Sequence, residues 1–368
     1  SQDKASEFGK TYNVSKCYGT YEALLADKEV QAIYVATPHT QHAEWAIKAI
    51  RAGKHVLCEK PIGVNHAQAQ AIIEEARTHG VFLMEAFMYR CHPQTKMIVD
   101  IIKEGRIGSV RMITGAFGYG GDGINPTSRI FDANFAGGGI LDVGCYPVSI
   151  ARLIAGAVDG KPFLDPVKVT AVGRIGETRV DEWTAATLLF PNDIVAQVAT
   201  GVRATLDNTV RIHGSQGHIY IPIPFVPSRD NKPATFTVTT KDKTEEITVP
   251  HDVPLYAMEA DTFAQSLANN KTAVYPAMSW DDTLGNMRVL DQWREAIGLV
   301  YPGETPEGAV KIDGSKLAVS PKAIMKYGQI AGVDKKISRF VMGCDNQPNY
   351  PHAAMLFDAF YEQGGNTF

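Results

Sequence analysis

Cysteine is scarce in this chain of 368 residues, and its cysteines are scattered. They number five and stand at Cys17, Cys58, Cys91, Cys145 and Cys344, with no C-x-x-C pair among them. An odd number at such wide spacing excludes a disulfide framework and argues against a zinc cluster. We therefore expect reduced thiols and a cytoplasmic location.

A basic surplus and a long apolar run are also lacking. Lys and Arg number 36 against 40 for Asp and Glu, so neither nucleic acid nor an anionic membrane is an expected partner. No uninterrupted apolar run approaches the roughly 18 residues that span a bilayer, and the first residues are too polar for a signal peptide. The remaining composition, 45% hydrophobic and 21% charged, is typical of a globular protein, and the length predicts two domains with part of a third.

Short β-rich runs alternate with amphipathic stretches in the first quarter of the chain. Strands are predicted over residues 31–37, 55–59 and 81–87. Between them, helices are predicted over 41–52 and from a cap at Asn65 to a C-terminal glycine at Gly80. This βαβαβ order predicts an α/β Rossmann-type domain with a parallel sheet.

The first helix of this pattern has no strand before it. Residues 1–12 look helical, with Ala5 and Phe8 expected to face inward. Parallel strands are joined by crossover helices, so a strand should precede this helix. We expect that the first strand and glycine-rich loop of the dinucleotide domain are missing from the sequence as given.

Alternating strands follow from residue 110 and predict a second domain of a different kind. Six runs have the strand pattern, at 110–117, 167–172, 185–190, 194–200, 209–213 and 218–221. Gly214 to Gly217 reads as a hairpin turn, and helices are predicted over 255–268 and 281–297. The expectation is an α+β domain with an open, largely antiparallel sheet. We place the domains at 1–90 and 91–304, with helix 281–297 packing back on the first, then a linker at 305–335 and a further segment at 336–368.

Two strand ends in the first domain carry polar side chains. Ligands of open parallel sheets bind outside the carboxyl ends of the strands. Thr37-Pro38-His39 follows one strand and opens a helix whose free N–H groups could face an anion, and Glu59-Lys60-Pro61 follows the next. Pro61 keeps the backbone of Lys60 extended, with a cis bond as an option, which suits a preorganised ammonium. The alternative is a solvated lysine beside an ordinary turn.

A glycine-rich stretch, G-G-G-I-L-D-V-G-C-Y-P at 137–147, is the third candidate. Asp142 and Tyr146 are four residues apart and share a face if this stretch is helical. An ammonium near Tyr146 would lower the pKa of the phenol, and the carboxylate could orient both groups. Taken separately, Tyr146 could be a packed aromatic and Asp142 a helix cap.

Four motifs together resemble the Gfo/Idh/MocA oxidoreductase family over about residues 1–304. They are A-T-P-H-x-x-H at 36–42, A-G-K-H-V-L-C-E-K-P at 52–61, M-E-A-x-x-x-R-x-x-P at 84–93 and the stretch at 137–147. The G-C-Y-P form resembles the subgroup of dimeric dihydrodiol dehydrogenase, NADP-dependent xylose dehydrogenase and glucose-fructose oxidoreductase.

The resemblance implies hydride transfer between NAD or NADP and a sugar, polyol or dihydrodiol carbinol. It implies that Lys60 polarises the substrate oxygen, that Tyr146 gives or takes a proton and that Asp142 orients the substrate hydroxyls. It also implies a set of residues lining the cofactor: Thr37, Pro38, His39, His42, Glu59, Lys60 and, more weakly, Arg129. We expect no metal, because His39 and His42 have no third ligand nearby in the sequence.

One departure from the family concerns its G-x-G-x-x-G fingerprint. The letters occur at 118–123, but there they precede Ile124-Asn125-Pro126 rather than a helix, so we treat them as a decoy. We therefore expect the chain as given to bind the cofactor poorly or not at all.

The tail carries a second resemblance. The stretches 336–344 and 356–368 resemble the opening of an aldo-keto reductase barrel. The catalytic residues of that family would come later, so no reductase activity is expected from the tail. Its single β-α-β start cannot bury its own apolar face.

Two other functions stay open at this stage. One is a regulatory protein of the same fold that binds a dinucleotide or sugar without turnover, and the other is an inactive fragment. Lys60, Asp142 and Tyr146 occurring together argue against a pure binder. The resemblance also implies a homodimer formed through the sheet of the second domain.

Overall fold

The first domain is built on a parallel sheet. The computed structural model describes residues 1–120, 125, 127–250 and 252–368. Three strands pair in the order β1-β2-β3, and both pairings are parallel, as predicted. The elements of this domain are α1 (Gln2–Tyr12), α2 (Tyr21–Ala26), β1 (Ala32–Val35), α3 (His39–Arg51), β2 (His55–Glu59), α4 (His66–His79), β3 (Leu83–Ala86) and α5 (Met88–Cys91).

Helix α4 begins and ends where the sequence predicts. The side chain of Asn65 accepts a hydrogen bond from the backbone N–H of Gln68 at 3.0 Å, and Gly80 adopts the left-handed conformation with φ 63°. The Gln68 side chain differs from a capping box, since its oxygen accepts from the N–H of Val64 at 2.9 Å.

Helix α1 exists, but its predicted inward face is wrong. Phe8 is 59% exposed, and Gly9 is the one residue of this helix that is buried. Strand β1 pairs with β2 along one edge, and no strand in the described part of the chain pairs with its other edge. Most of helix α1 therefore lies on the surface.

The second domain contains an eight-stranded sheet in the order β11-β10-β9-β8-β4-β7-β6-β5. Only the pairing of β4 with β7 is parallel among those described, so the predicted antiparallel character is confirmed. The strands are β4 (Val110–Gly118), β5 (Lys168–Ile175), β6 (Asp181–Leu189), β7 (Val195–Gly201), β8 (Val210–Gly214), β9 (Gly217–Ile221), β10 (Ala234–Thr240) and β11 (Thr244–Val249). The last two form a hairpin that was not predicted, although Ala234, Phe236 and Val238 alternate with threonines in β10 and are buried.

Helix α7 (Cys145–Val158) is the buried core helix of this domain. It belongs to Ala133–Val158, a stretch that is long and apolar enough by length and composition to cross a membrane. Its most apolar window lies wholly inside the protein, which is typical of a core helix. The sequence analysis missed this stretch because Asp142 and Arg152 interrupt the apolar run.

Helices α8 (Leu255–Ala268) and α9 (Trp280–Ala296) return to the first domain. Phe263 of α8 packs on Phe82 with ring centroids 5.1 Å apart. The indole N–H of Trp280 donates to the carbonyl of Leu83 at 2.9 Å, and α9 also packs against α4 and α7. Together with α6 (Pro93–Lys103), these helices join the two sheets.

The last part of the chain, residues 305–368, lies against α3 and α4. Its elements are β12 (Tyr327–Gly328), β13 (Ile337–Ser338) and α10 (Tyr350–Glu362). Arg51 of α3 pairs with Asp313 at 2.6 Å, and the ring nitrogens of His66 and His352 are 2.9 Å apart. All five cysteines are free.

Candidate functional site

The carboxyl ends of β1 and β2 come together at one edge of the parallel sheet. Thr37 to His39 come after β1, Glu59 is the last residue of β2, and Lys60 follows it. The buried His42 joins the two segments, with Nδ1 2.8 Å from the Pro61 carbonyl and Nε2 2.7 Å from that of Thr37. The Lys60-Pro61 bond is cis. Both ring nitrogens of His42 are thus engaged by backbone carbonyls, so this residue positions the site.

The structure brings Lys60 to Asp142. The Lys60 ammonium donates to the backbone carbonyl of Asp142 at 2.6 Å and lies 3.9 Å from its Oδ1. Asp142 occupies a wide π-type turn, Ile140–Gly144, that leads directly into α7. Both side chains are mostly buried, with 15% and 13% exposed. Water therefore screens this pair only weakly.

Close packing explains the glycines before Asp142. Gly138 has φ 102°, and a Cβ there would lie 2.2 Å from Oδ1 of Asp181. The carboxylate of Asp181 accepts from the N–H of Ile140 at 2.8 Å. The hydroxyl of Tyr301 donates to the carbonyl of Gly137 at 2.7 Å. These contacts fix the turn that carries Asp142.

Asp142 also meets two further side chains. Its Oδ2 accepts a hydrogen bond from the Tyr119 hydroxyl, and Arg129 Nη2 lies 3.7 Å from its Oδ1. Burial alone would raise the pKa of Asp142, but the Lys60 charge and the Tyr119 hydrogen bond hold that pKa below its usual value. The sequence analysis missed Tyr119 because it falls inside the decoy glycine motif, of which Gly121 to Gly123 lie outside the described residues.

Tyr146 lies beside Lys60 in a different arrangement from the predicted one. The Lys60 ammonium is 5.2 Å from the centroid of the Tyr146 ring. The hydroxyl donates to Sδ of Met88 at 3.3 Å. Burial raises the pKa of Tyr146 well above its ordinary value, so the expected lowering by the ammonium is wrong. The reason is that aromatic rings enclose Tyr146: Phe87, Tyr89, Phe117 and Phe225.

Two buried polar atoms at this edge lack a partner. They are Oγ1 of Thr37 and Nδ1 of His39. Burial, with help from the Lys60 charge, lowers the pKa of His39 to about 3, so the ring is neutral at physiological pH. Uncharged hydrogen-bonding atoms suit the polar, uncharged groups of a ligand at the carboxyl end of the sheet, such as a carboxamide or a ribose hydroxyl. These residues therefore fit the reactive end of a nicotinamide nucleotide.

The other predicted cofactor residues lie around the same edge. Pro38 precedes α3 as its N-terminal flanking residue, and Glu59 accepts a hydrogen bond from the Tyr34 hydroxyl. Arg129 is 44% exposed at the rim, where its guanidinium faces Asp142. No group of three potential metal ligands occurs among the described residues. A dinucleotide-type sheet whose carboxyl edge holds a lysine against a carboxylate defines the class of nicotinamide-dependent oxidoreductases.

Comparison with known proteins identifies the family. Residues 1–87 match the oxidoreductase family with the NAD-binding Rossmann fold, Gfo/Idh/MocA, and residues 95–220 match the C-terminal domain of that family. The chain is 33% identical over 306 residues to trans-1,2-dihydrobenzene-1,2-diol dehydrogenase of Mus musculus, which covers 82% of this chain and 87% of the relative. The Xenopus tropicalis enzyme of the same name is 32% identical over 308 residues, covering 82% and 88%.

Solved structures agree. KijD10, a 3-ketoreductase from Actinomadura kijaniata in complex with NADP and TDP-benzene, has a TM-score of 0.70 at 30% identity, covering 81% of this chain and 87% of its own. An aldose-aldose oxidoreductase from Caulobacter crescentus shares the fold, with a TM-score of 0.70 at 22% identity over 80% and 87% of the two chains. The chain belongs to the Gfo/Idh/MocA family and is an NAD(P)-binding oxidoreductase.

Proposed function

We propose that this protein transfers a hydride between a nicotinamide nucleotide and a carbinol of a sugar, polyol or dihydrodiol. The observation that carries the proposal is the Lys60 ammonium held against Asp142 at the carboxyl edge of the parallel sheet. The relatives support the substrate class, since they include dihydrodiol dehydrogenases and a 3-ketoreductase. Hydride addition to a carbonyl creates an alkoxide that takes up a proton at nearly the same time, and in the reverse direction the carbinol returns that proton to the same group.

Each of the three side chains has a separate role in the proposed reaction. Lys60 donates a hydrogen bond to the substrate oxygen and stabilises negative charge on it. Asp142, ionised because Lys60 and Tyr119 lower its pKa, accepts hydrogen bonds from neighbouring hydroxyls and orients the substrate. Tyr146 keeps its proton because burial raises its pKa, so it suits proton donation toward an alkoxide. The Met88 sulfur that it contacts is a weak acceptor, which makes that hydrogen bond easy to exchange for a substrate oxygen.

The cofactor is NADP or NAD. When bound, the nicotinamide supplies or accepts the hydride. We assign its reactive end to Thr37, Pro38 and His39 after β1 and to Glu59 and Lys60 at the carboxyl end of β2, with Arg129 at the rim. Thr37 and His39 contribute the two unpartnered polar atoms, and His42 holds both segments in place.

Nucleotide titration and turnover test the proposal directly. NADPH and NADH are titrated by fluorescence, and turnover is measured with a panel of aldoses, polyols and trans-dihydrodiols. Lys60→Met should lower kcat by about 10²- to 10⁴-fold and leave NADPH affinity within a few-fold. Lys96→Met, an exposed lysine of α6 paired with Asp100, is the matched control. Binding without turnover by the wild type would instead favour a regulatory protein, and no binding of either nucleotide would overturn the proposal.

We also propose a homodimer formed through the outer face of the eight-stranded sheet. This face forms an open groove of about 790 Å³ lined by small side chains such as Thr170, Ala185 and Ala199. Val172 on the same face is 78% exposed, which is a large apolar exposure for a strand centre. Sedimentation should give a dimer that Val172→Lys converts to a monomer, whereas Val300→Lys, at an exposed position after α9, should leave it intact. A monomeric wild type would contradict this proposal.

For the tail, we propose the beginning of an aldo-keto reductase barrel. Strand β13 and helix α10 are consistent with it, and apolar side chains stay exposed at Phe340, Val341 and Phe368. Truncation after residue 335 should leave turnover by the Lys60 site unchanged, and the tail should add no reductase activity. Loss of nucleotide binding on truncation would instead make the tail part of the first domain. With five free cysteines, we further propose a cytoplasmic location.

A further inference from the structure

Glu85 is a buried carboxyl group that lies outside the site but is bonded to the segment that carries Lys60. It stands in β3 and is 2% exposed. Its Oε1 accepts a hydrogen bond from the backbone N–H of Ile62 at 2.9 Å, and its Oε2 accepts from the hydroxyl of Thr283 at 2.7 Å. The carboxyl group therefore links two segments that are about 220 residues apart in the chain.

The first of these segments is the strap Lys60 to Ile62. Few other contacts fix its backbone: His42 binds the Pro61 carbonyl, and the Lys60 N–H donates to Glu59 at 3.2 Å. Ile62 is 1% exposed, and its N–H donates to Glu85. Without Glu85, this donor would be unpaired in the core, and the strap would shift to find another acceptor.

The second segment leads to the helix that carries Tyr146. Thr283 follows Asp282 in α9, and Asp282 pairs with Arg152 at 2.5 Å and with Arg90 at 2.6 Å. Arg152 belongs to α7, less than two turns after Tyr146. Buried polar contacts thus connect the Lys60 strap to Glu85 and Thr283. The neighbouring residue Asp282 continues this connection to Arg152 in α7.

We infer that Glu85 is a positioning residue that holds the Lys60 ammonium in register with Asp142 and Tyr146 across the two domains. The inference rests on the proposed function, because it concerns the placement of the group that acts on the substrate. Lys60 comes from the parallel sheet, whereas Asp142 and Tyr146 come from the second domain. A misplacement of about 1 Å at a catalytic group can cost about 10²-fold in rate, so a rigid link between the domains is needed.

The chemistry of the link suits either protonation state. Burial raises the pKa of Glu85 to about 7, opposed by the hydrogen bonds from Thr283 and Ile62; nearby Asp282 raises it further and Arg152 lowers it. The ionised group accepts both hydrogen bonds, and the neutral acid can accept from Ile62 and donate to the Thr283 hydroxyl. Glutamine reproduces the neutral pattern with nearly the same shape. Leucine can form neither of these two hydrogen bonds.

Four variants separate positioning from folding. They are Glu85→Gln, Glu85→Leu, Thr283→Ser and Thr283→Val, used in the full chain with folding checked by circular dichroism. We expect Gln and Ser to keep kcat within about 3-fold of the wild type. Leu should lower kcat by about 30- to 100-fold, and Val by about 3- to 10-fold, with KM and NADPH affinity nearly unchanged. Thr283→Val keeps the proposal testable if Glu85→Leu fails to fold.

Two readouts do not depend on turnover. Hydrogen exchange of the peptide that contains Ile62 should be faster in Glu85→Leu and Thr283→Val, and unchanged in Gln and Ser. Acylation of Lys60 by an N-hydroxysuccinimide ester, followed by mass spectrometry at fixed pH, should rise several-fold in the same two variants, because the ammonium leaves the Asp142 carbonyl. These measurements remain decisive if the wild type lacks turnover, the result that would refute the proposed function alone.

Other outcomes overturn the inference itself. One is a folded Glu85→Leu protein with wild-type kcat, Ile62 exchange and Lys60 labelling. Another is a fall in kcat in which Glu85→Gln equals Glu85→Leu, since that would show a need for the charge rather than for the link. Equal losses in Thr283→Ser and Thr283→Val would likewise exclude the hydroxyl contact.

Discussion

The charge of Asp142 is maintained by three side chains from separate parts of the chain. Burial opposes ionisation, while the Lys60 ammonium, the Tyr119 hydroxyl and the Arg129 guanidinium favour it. Tyr119 directly follows β4, and its contact depends on how that strand meets the turn before α7. The hydrogen bond to Tyr119 also fixes which oxygen of Asp142 faces the ligand.

At this residue, Tyr119→Phe should raise the pKa of Asp142, because the variant removes a hydrogen bond to the ionised form. The acid limb of the kcat/KM profile should move to higher pH, and kcat/KM at pH 7 should fall by about 3- to 30-fold. Tyr220→Phe on β9 is the matched control. An unchanged profile in Tyr119→Phe would show that ionisation of Asp142 in the free enzyme does not set the acid limb of kcat/KM.

At the scale of elements, helix ends set the path of the chain around the site. Helix α4 lies directly after the Lys60 strap, so its position depends on the cap at Asn65 and the left-handed residue at Gly80. Asn65 also donates to Glu304 at 2.9 Å, which links the start of α4 to the segment after α9. A substitution at either end of α4 should therefore change the stability of the helix before it affects the catalytic groups.

Gly80→Ala tests this point. A Cβ at position 80 meets no atom within 4 Å, so the cost is the left-handed backbone alone, about 1 kcal/mol of unfolding free energy. Gly303→Ala is a matched control, because that Cβ also meets nothing within 4 Å and its φ is outside the left-handed range. Urea unfolding of both variants gives the comparison, and equal stabilities would exclude backbone strain as the cause.

At the scale of the molecule, the two domains are joined through buried ionisable groups. Arg90 and Arg152 both pair with Asp282, and Glu85 lies next to this cluster with its pKa raised to about 7. A carboxyl group whose pKa is higher in the folded state keeps its proton after the unfolded chain has lost it. Its contribution to stability therefore declines as pH rises from about 4.5 to about 7.

The difference in unfolding free energy between Glu85→Gln and the wild type isolates the contribution of Glu85 from that of the other titrating groups. Relative to the wild type, the variant should gain about 2 to 3 kcal/mol of unfolding free energy between pH 5 and pH 8. Urea denaturation at four pH values in this range measures it. Glu246→Gln, at an exposed position of β11, is the control and should show a constant difference. A constant difference in Glu85→Gln as well would mean that Glu85 is already ionised at pH 5.

The sequence by itself determined the elements and the two strand ends that carry the site. Apolar periodicity, caps and glycines predict the parallel sheet, helix α4 and most of the antiparallel sheet, because these signals are local. The positions of Lys60 and Thr37 after strands also follow from sequence, since the carboxyl ends of parallel strands lie at one edge. The motifs that resemble the family then predicted that Asp142 and Tyr146 belong to the same site.

Only the tertiary structure decided how these groups meet. The exposure of Phe8, the hydrogen bond from Tyr119 to Asp142, the burial that raises the pKa of Tyr146 and the Glu85 link all depend on residues far apart in the chain. Local patterns carry no information on such contacts, because burial and pKa depend on which distant segments pack against a group. The sequence therefore determines which residue types are present at the site, and the fold determines their geometry and protonation states.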